Sequence, residues 1–451
     1  MSTAVAPALE SSGPAGSLML ARLDQLPLAG THILIAAVGA IGLFLDIAEL
    51  ALSNALSAIF SAPGQALQPY QLPLLLASVF IGGSLGAPLL GRLADRWGRR
   101  AALVAALLIL ASTSVLGAMS EGVGELTVAR LLSGLAIGAW PPLLTAYLVE
   151  MLPARRRGRL AFMCAAVGLL GAPAVVFFIR ALAPVGPLGQ EPWRWALILG
   201  AGGSLAAAGL FALLPESPRW LLAKGRLPEA MAVLRRLGGE GAGPPPPPEK
   251  PAERSAWGSW SREHRSRAIL VAAVYFLSPW ATIGFPLLSG AVLMKKGFSL
   301  SDSLFYSGIT QFGPALGTFL IALVVDRCER RSTLIVLGGA MALLGLVFAA
   351  SEAPGALMAS GTAFLLTSVV FVCVLGVYVA ELFPVTLRAG ATTGTWAVSR
   401  IASALVPLAL LPLLRGYGPL AMFAVVAAAL VACLGLLIAF GPRGLAGKPV
   451  E

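Results

Sequence analysis

Charge is scarce in this chain. Of 451 residues only 12% are Asp, Glu, Lys or Arg, while 57% are hydrophobic; the charged share is about half that of an ordinary soluble domain. A mean hydropathy of +0.85 excludes a water-soluble globular chain. Histidine is nearly absent. His32 opens an apolar run and His264 lies in a polar stretch, and neither has a metal-like neighbour. The four cysteines, Cys164, Cys328, Cys373 and Cys433, have no zinc-site spacing and no disulfide framework. There is no glycine-rich phosphate loop and no acid–base–nucleophile set. An ATP-driven pump or an intramembrane enzyme would need one of these, so the chain is expected to be no enzyme, with no metal and no cofactor. Residues 1–30 lack a basic segment followed by an apolar one, so no cleaved signal peptide is expected.

What fills the chain instead is a series of apolar runs near 31–60, 72–91, 101–119, 125–149, 160–181, 195–214, 268–291, 303–325, 332–350, 356–380, 390–414 and 418–440. Most hold about 18–25 residues, enough to cross about 30 Å of hydrocarbon. Inside lipid each backbone N–H must find its partner within its own segment, so the runs are helices. The expected fold is an all-α membrane protein of twelve transmembrane helices in two parallel six-helix bundles.

The net charge of +11 does not imply nucleic acid, because of where the charge sits. Arg92, Arg96, Arg99 and Arg100 crowd one loop, Arg155, Arg156, Arg157 and Arg159 a second, and Arg327, Arg330 and Arg331 a third. The stretch 215–267 holds ten more Lys or Arg, whereas 61–70, 120–124 and 351–355 hold none. This asymmetry places both termini and 215–267 in the cytoplasm. Lys295, Lys296, Arg180 and Arg415 are its exceptions.

The chain also repeats itself. Tyr147, Glu150, Pro153 and Arg157 return as Tyr378, Glu381, Pro384 and Arg388; Asp95, Arg96, Arg99 and Arg100 return as Asp326, Arg327, Arg330 and Arg331. Every pair is separated by 231 positions, as in 378 − 147, so the two halves are homologous. The expected organisation is a flexible cytoplasmic tail over 1–30, a six-helix bundle over 31–214, a cytoplasmic connector over 215–267, a second bundle over 268–441 and a tail over 442–451. Within the connector, 227–237 is an amphipathic helix with Leu227, Ala230, Met231, Leu234 and Leu237 on one face. Pro244 to Pro248 form an extended spacer. The segment Trp257 to Arg267 suits a membrane interface.

In Gly91-x-x-x-Asp95-Arg96-x-Gly98-Arg99-Arg100 the glycines fit a tight turn, since φ > 0 is cheap only for glycine. Asp95 is placed to face a neighbouring helix N-terminus, and the arginines to pair with acids across the bundle. Together with Glu150, Arg157, Glu216 and Arg219 they would latch one conformation. The second copy, with Asp326, Arg327, Glu381 and Arg388, has Ala322 for Gly91 and Glu329 for Gly98, and would be a weaker latch.

These two motifs, with Pro215-Glu216-Ser217-Pro218-Arg219-Trp220-Leu221, resemble the major facilitator superfamily over about residues 31–441. The last segment is similar to the arm that holds sugar porters, organic ion transporters and synaptic-vesicle-protein-2-like carriers such as niacin transporters. Asp46-Ile47-Ala48-Glu49 resembles the D-G-x-D of the aromatic acid:proton symporters, with Ile47-Ala48 for Gly-x and Glu49 for Asp. Glu381 to Arg388, then Ser399-Arg400-Ile401 and Pro407, resembles their eleventh helix, with Ser399 and Ala402 for glycines. The resemblance implies alternating access and transport of a small molecule driven by the proton gradient.

Few ionisable residues lie deep in the apolar runs, and such residues are functional candidates. Asp46 and Glu49 share one face of the first helix. Arg130 lies in the fourth and Arg400 near the middle of the eleventh; two acids and two bases balance. A carboxyl out of water and beside another holds its proton more readily, which a nearby arginine opposes. The expectation is that Asp46 carries the proton and that Arg130 is its charge partner, released on protonation; the bland alternative is a permanent pin between helices 1 and 4. Arg400 offers a planar fork to a carboxylate. Organic anion transporters resemble this chain in an arginine here, where organic cation transporters have aspartate. An anionic substrate is expected, a monocarboxylate, with an aromatic one as a candidate; the alternative is an intrabundle partner for Arg400. Trp140, Tyr275, Trp280, Phe285, Phe312 and Trp396 are candidate cavity aromatics, and Gln311 a candidate hydrogen-bonding group. Sugar porters carry paired glutamines and an asparagine in helix 7; Tyr275 to Pro286 holds neither residue type, so hexose transport is not expected. Pro279, Pro286 and Pro314 would kink helices 7 and 8. The expected partners are a small-molecule substrate, protons and the lipid bilayer of a bacterial inner membrane, with no nucleic acid, and the chain is expected to act as a monomer. The same acids would serve a proton-antiporting exporter of a drug or secondary metabolite. A non-transporting receptor or scaffold has no need of them.

Overall fold

The computed structural model describes residues 26–65, 67–238, 262–324, 329–383 and 385–442 with Leu23, and only the backbone of 322–324 and 385–395. Asp326, Arg327, Pro384, the prolines 244–248 and both tails beyond these limits lie outside the described residues, as does the side chain of Arg388. Among the described residues all regular structure is helical.

The first half runs α1 (Gly30–Ile59), α2 (Gln71–Trp97), α3 (Arg99–Ala118), α4 (Val123–Met151), α5 (Ala154–Leu169) with α6 (Gly171–Leu182), and α7 (Pro192–Leu213). Two short helices follow, α8 (Pro218–Ala223) and α9 (Leu227–Arg236). The second half is α10 (Arg262–Leu277), α11 (Pro279–Thr282), α12 (Gly284–Lys295), α13 (Leu300–Thr310), α14 (Phe312–Val324), α15 (Arg330–Ala350), α16 (Pro354–Leu382) and α17 (Val385–Phe440). Ten of the described stretches are long and apolar enough to cross a membrane, α5–α6 and α10–α12 counting as one each. The pair α13–α14, broken at Gln311, adds an eleventh. Gly418, at φ 85° and ψ −179°, reverses the chain within α17 and makes twelve.

The breaks fall where proline removes a backbone donor. α10 ends just before Pro279, while Pro286 and Pro314 each stand third in a new helix, α12 and α14. These prolines therefore interrupt the seventh and eighth spans, as expected, and each stands in the first turn of the helix that resumes. Pro88, Pro141 and Pro142 are carried inside α2 and α4 without a break. Those two helices touch backbone to backbone: a Cβ on Gly86 would collide with the Leu135 carbonyl, and one on Gly138 with that of Gly83. Small residues at such a seam let helices pack closely in lipid, where no hydrophobic force draws them together.

The apolar core is in two parts. One cluster, including Leu103, Leu144, Tyr147, Phe211, Trp220 and Leu234, belongs to the first half with α8 and α9. The other joins the halves, uniting Leu52, Leu56, Phe60, Leu72 and Trp193 with Phe285, Leu288 and Leu411. This shared core lies mainly toward the end where the arginine-poor loops lie, while α5 and α14 also pack on each other across the halves nearer the other end.

α9 matches its expected helix, but only Ala230 and Leu234 are buried along it, with Leu237 just beyond. Leu227 and Met231 of the expected apolar face remain 39% and 38% exposed, because α8 and the end of α7 cover a narrower strip than the five residues span.

Candidate functional site

Asp46, Glu49 and Ser53 fall at i, i+3 and i+7 on α1, one helical face. Arg130 of α4 reaches that face and is 1% exposed. Its Nη1 donates to Glu49 Oε1 at 2.6 Å; Nη2 donates to the Glu49 carbonyl at 2.9 Å and to Ser53 Oγ at 2.7 Å. Glu49 is itself 5% exposed, with Ser114 of α3 beside its carboxylate. This corrects the expected pairing. Arg130 belongs to Glu49, since its fork meets α1 at Glu49 and Ser53, a turn further along than Asp46.

Asp46 is 2% exposed and its Oδ1 has no hydrogen-bond partner. The charges that face it are Arg400 of α17 and Glu49. Arg400 stacks on Trp396 one turn earlier, its Cζ 4.4 Å from the ring centroid, and its Nε has no partner. Among the described residues neither Asp46 nor Arg400 makes an ion pair within 4.0 Å. The four charges form one closed pair within the first half and one open pair across the halves.

The expected aromatics divide. Trp396 holds Arg400. Trp140 is 2% exposed, set against Gly42 and edge-on to Phe211 at 5.5 Å. It is a core side chain of the first half, not a cavity wall. Phe285, fully buried, stacks on Phe364 at 4.3 Å and packs with Phe348 and Phe423, so it is core of the second half. Phe312 is 44% exposed, 6.2 Å from Phe177 across the halves. Tyr275 and Trp280 are half-buried on the broken seventh span, and Gln311 is buried at the α13–α14 break.

Polar bonds between the halves gather at the arginine-poor end. Asn54 Nδ2 of α1 donates to the Pro286 carbonyl at 2.5 Å and to Ser289 Oγ at 2.8 Å. Arg180 Nε donates to the Ser301 carbonyl at 3.2 Å and lies over Phe305. Arg415 Nη1 donates to the Pro69 carbonyl at 3.1 Å. Lys295 and Lys296 donate to the carbonyls of Arg415, and of Ala349 and Ser351. Burial lowers the Lys296 ammonium from its ordinary value, Glu352 opposing it. All four cations that break the charge asymmetry are therefore directed at main-chain carbonyls.

At the other end the latch residues pair within each half. Arg99 pairs with Asp95 at 2.6 Å and Glu150 at 3.4 Å. Arg100 Nη1 donates to the Leu214 carbonyl at 3.0 Å, and Tyr147 to that of Pro215 at 2.6 Å. The second half copies this: Arg330 with Glu381 at 3.2 Å, Arg331 to the Leu437 and Ile438 carbonyls, Tyr378 to Pro442 at 3.4 Å. Two expectations are corrected. Asp95 caps no helix; Glu216 Oε1 does, accepting the Arg100 N–H at 3.1 Å at the start of α3 and the Ser217 N–H at 2.8 Å. Gly91 is no turn residue: it lies inside α2 with open space where a Cβ would stand. Gly98 is the turn, at φ 111°, and its Cβ would collide with Glu216 Oε2. Arg96 is exposed. Arg157 donates to the Leu152 carbonyl at 3.2 Å, and Arg219 lies in the first turn of α8.

Reading the sequence missed Asn54, Ser53 and the capping role of Glu216. An Asn within an apolar span is a signal of its own; the Glu216 contact needs the folded connector and has none.

Twelve spans in two halves, closed together at one end around balanced buried charges, define a membrane transporter of the major facilitator fold. Residues 33–444 match the family described as Sugar (and other) transporter, and the chain belongs to that family. It is 28% identical to the putative metabolite transport protein YyaJ of Bacillus subtilis over 94% of this chain and 95% of that one. It is 25% identical to the niacin transporter NiaP of Acinetobacter baylyi over 86% and 89%. It is 35% identical to the arabinose-proton symporter of Bacillus subtilis over 39% and 38%. In fold it is similar to the partially occluded inward-open xylose transporter XylE of E. coli, with TM-score 0.75 at 20% identity over 93% of this chain and all of that one. The protein is an integral multi-pass membrane transporter of metabolites, not an enzyme.

Proposed function

We propose that the chain is a proton-coupled symporter of a small organic anion, with an aromatic monocarboxylate as the preferred substrate. One observation carries this reading: a buried carboxyl without a partner, Asp46, faces a buried guanidinium with an unpartnered Nε, Arg400, across the two halves. The stack on Trp396 holds the guanidinium plane and leaves an edge for a carboxylate. Ionised Asp46 would compete for that same guanidinium and repel an incoming anion. Protonated Asp46 would do neither. Proton and anion would therefore bind together, and the protein would carry them as a neutral pair. Arg400, not Arg130, is the partner released on protonation, and Glu49–Arg130 pins α1 to α4.

The names of two relatives support separate parts of this reading: a niacin transporter supports a flat aromatic monocarboxylate, and an arabinose-proton symporter supports the proton coupling while naming a sugar as its substrate. The proton gradient would be the sole energy source, with no cofactor, and a monomer would suffice. The arginine-rich end would face the cytoplasm of a bacterial inner membrane, so the described state, joined at the other end, would open inward. The test is proton flux in proteoliposomes challenged with aromatic and aliphatic carboxylates. External alkalinisation with one acid, lost in Asp46→Asn and in Arg400→Gln, is expected. Silence to acids with a response to cationic or neutral amphiphiles would replace this reading with an exporter.

A further inference from the structure

A cavity of about 390 Å³ lies at the arginine-rich end, away from the buried charges. Trp97 at the end of α2, Arg100 in the first turn of α3, Leu213 at the end of α7, Glu216, Arg226 just before α9 and Arg236 at its last position line it. The charges there are unevenly matched. Glu229 holds Arg226 with two bonds, at 2.7 and 2.6 Å. Glu216 is engaged by the N–H groups of Arg100 and Ser217. Arg100 and Arg236 direct their side-chain bonds at the α7 carbonyls of Ala212, Leu213 and Leu214, and among the described residues neither makes an ion pair within 4.0 Å. A guanidinium has five N–H donors, so both keep donors and charge.

The position of the cavity says what would come to it. α3 and α7 pack on each other at the edge of the first half. Along α7, Leu199, Leu205 and Leu213 are 60%, 59% and 71% exposed, a strip that in a bilayer meets acyl chains. The cavity sits where that strip ends, beside Trp97, 60% exposed. Tryptophan favours the headgroup level, and basic pockets at that depth take lipid phosphates.

We propose that this cavity binds the headgroup of an anionic phospholipid, its phosphate on Arg100 and Arg236 and its acyl chains along the exposed leucines of α7. A free phosphate would gain the arginines but not the apolar strip. A bound lipid would tie α3, α7 and α9 together at the end where the halves must rearrange.

The test uses the full-length protein in detergent, with dioctanoyl phosphatidylglycerol, dioctanoyl phosphatidylcholine and inorganic phosphate as separate probes, read by native mass spectrometry and by thermal melting. Phosphatidylglycerol is expected to bind and to raise the melting temperature, with affinity about tenfold weaker in Arg236→Gln, the order of one charge-assisted hydrogen bond. Equal binding of phosphatidylcholine would overturn the assignment, as would equal binding of phosphate or an unaffected variant. Should Arg236→Gln not fold, a photoreactive phosphatidylglycerol on the wild-type chain decides: crosslinks within 97–100 and 213–236 support the site, and crosslinks elsewhere alone overturn it.

Discussion

Asn54 of α1 and Ser289 of α12 stand 2.8 Å apart across the seam between the halves, and the same Asn54 amide donates to the Pro286 carbonyl at 2.5 Å. Beside them a Cβ on Gly290 would press against Ala58, so the backbones are already close. The amide fastens the arginine-poor end shut in the described state, and opening that end must break both bonds.

Replacing Asn54 by Ala should therefore favour the state open at that end. Two buried hydrogen bonds contribute roughly 1–3 kcal/mol, which corresponds to a population shift of about 5- to 150-fold. A cysteine introduced at Ser57, fully buried on α1, should react faster with an impermeant maleimide in the Asn54→Ala background. Equal labelling rates would mean that the apolar packing alone holds the seam.

The two acids of α1 should respond oppositely to neutralisation. Glu49→Gln breaks a closed buried pair and leaves Arg130 with an uncompensated charge, a loss of about 3–5 kcal/mol. Asp46→Asn removes a carboxylate that has no ion pair, so it should leave thermal stability in detergent unchanged or raised. If Asp46→Asn destabilised the protein as much as Glu49→Gln, Asp46 would be a structural partner and the coupling role would fall.

Much of this was legible beforehand, for a physical reason. Apolar runs long enough to span a bilayer can only be helices there, and the 231-residue offset fixes the two halves without reference to coordinates. Arg99–Glu150 and Arg330–Glu381 hold the same relationship in both halves, as the repeat requires. Pairing among the buried charges was not legible. Asp46 and Glu49 lie one turn apart, and sequence gives no helix rotation by which to choose between them as the partner of Arg130. Burial of Trp140 and Phe285 was missed for the same reason, since an aromatic in a membrane helix can face lipid, core or cavity without any change in its neighbours.

The two glycines of the loop motif should differ in their tolerance of a side chain. Gly98→Ala places a Cβ at φ 111° and against Glu216 Oε2, and should cost about 1–3 kcal/mol while loosening the cap on α3. Gly91→Ala meets open space inside α2 and gains helix propensity, so it should be neutral or slightly stabilising. Melting temperatures of the two variants check this; equal losses would show that the motif constrains something other than the turn at Gly98.

Arg400 and Trp396 should act together on substrate affinity. Arg400→Lys keeps the positive charge but loses both the planar fork and the stack on the indole. The KM for a carboxylate substrate should rise about tenfold or more, with the loss of one charge-assisted bond. Trp396→Leu should raise KM less, because it frees the guanidinium plane without removing a donor, and Trp396→Phe less again, since a ring remains. Combining Arg400→Lys with Trp396→Leu should be little worse than Arg400→Lys alone, as the stack is already lost in the single variant. Uptake assays over a range of substrate concentrations give each KM. Strict additivity of the two changes would mean that Trp396 contacts the substrate by itself, not through Arg400.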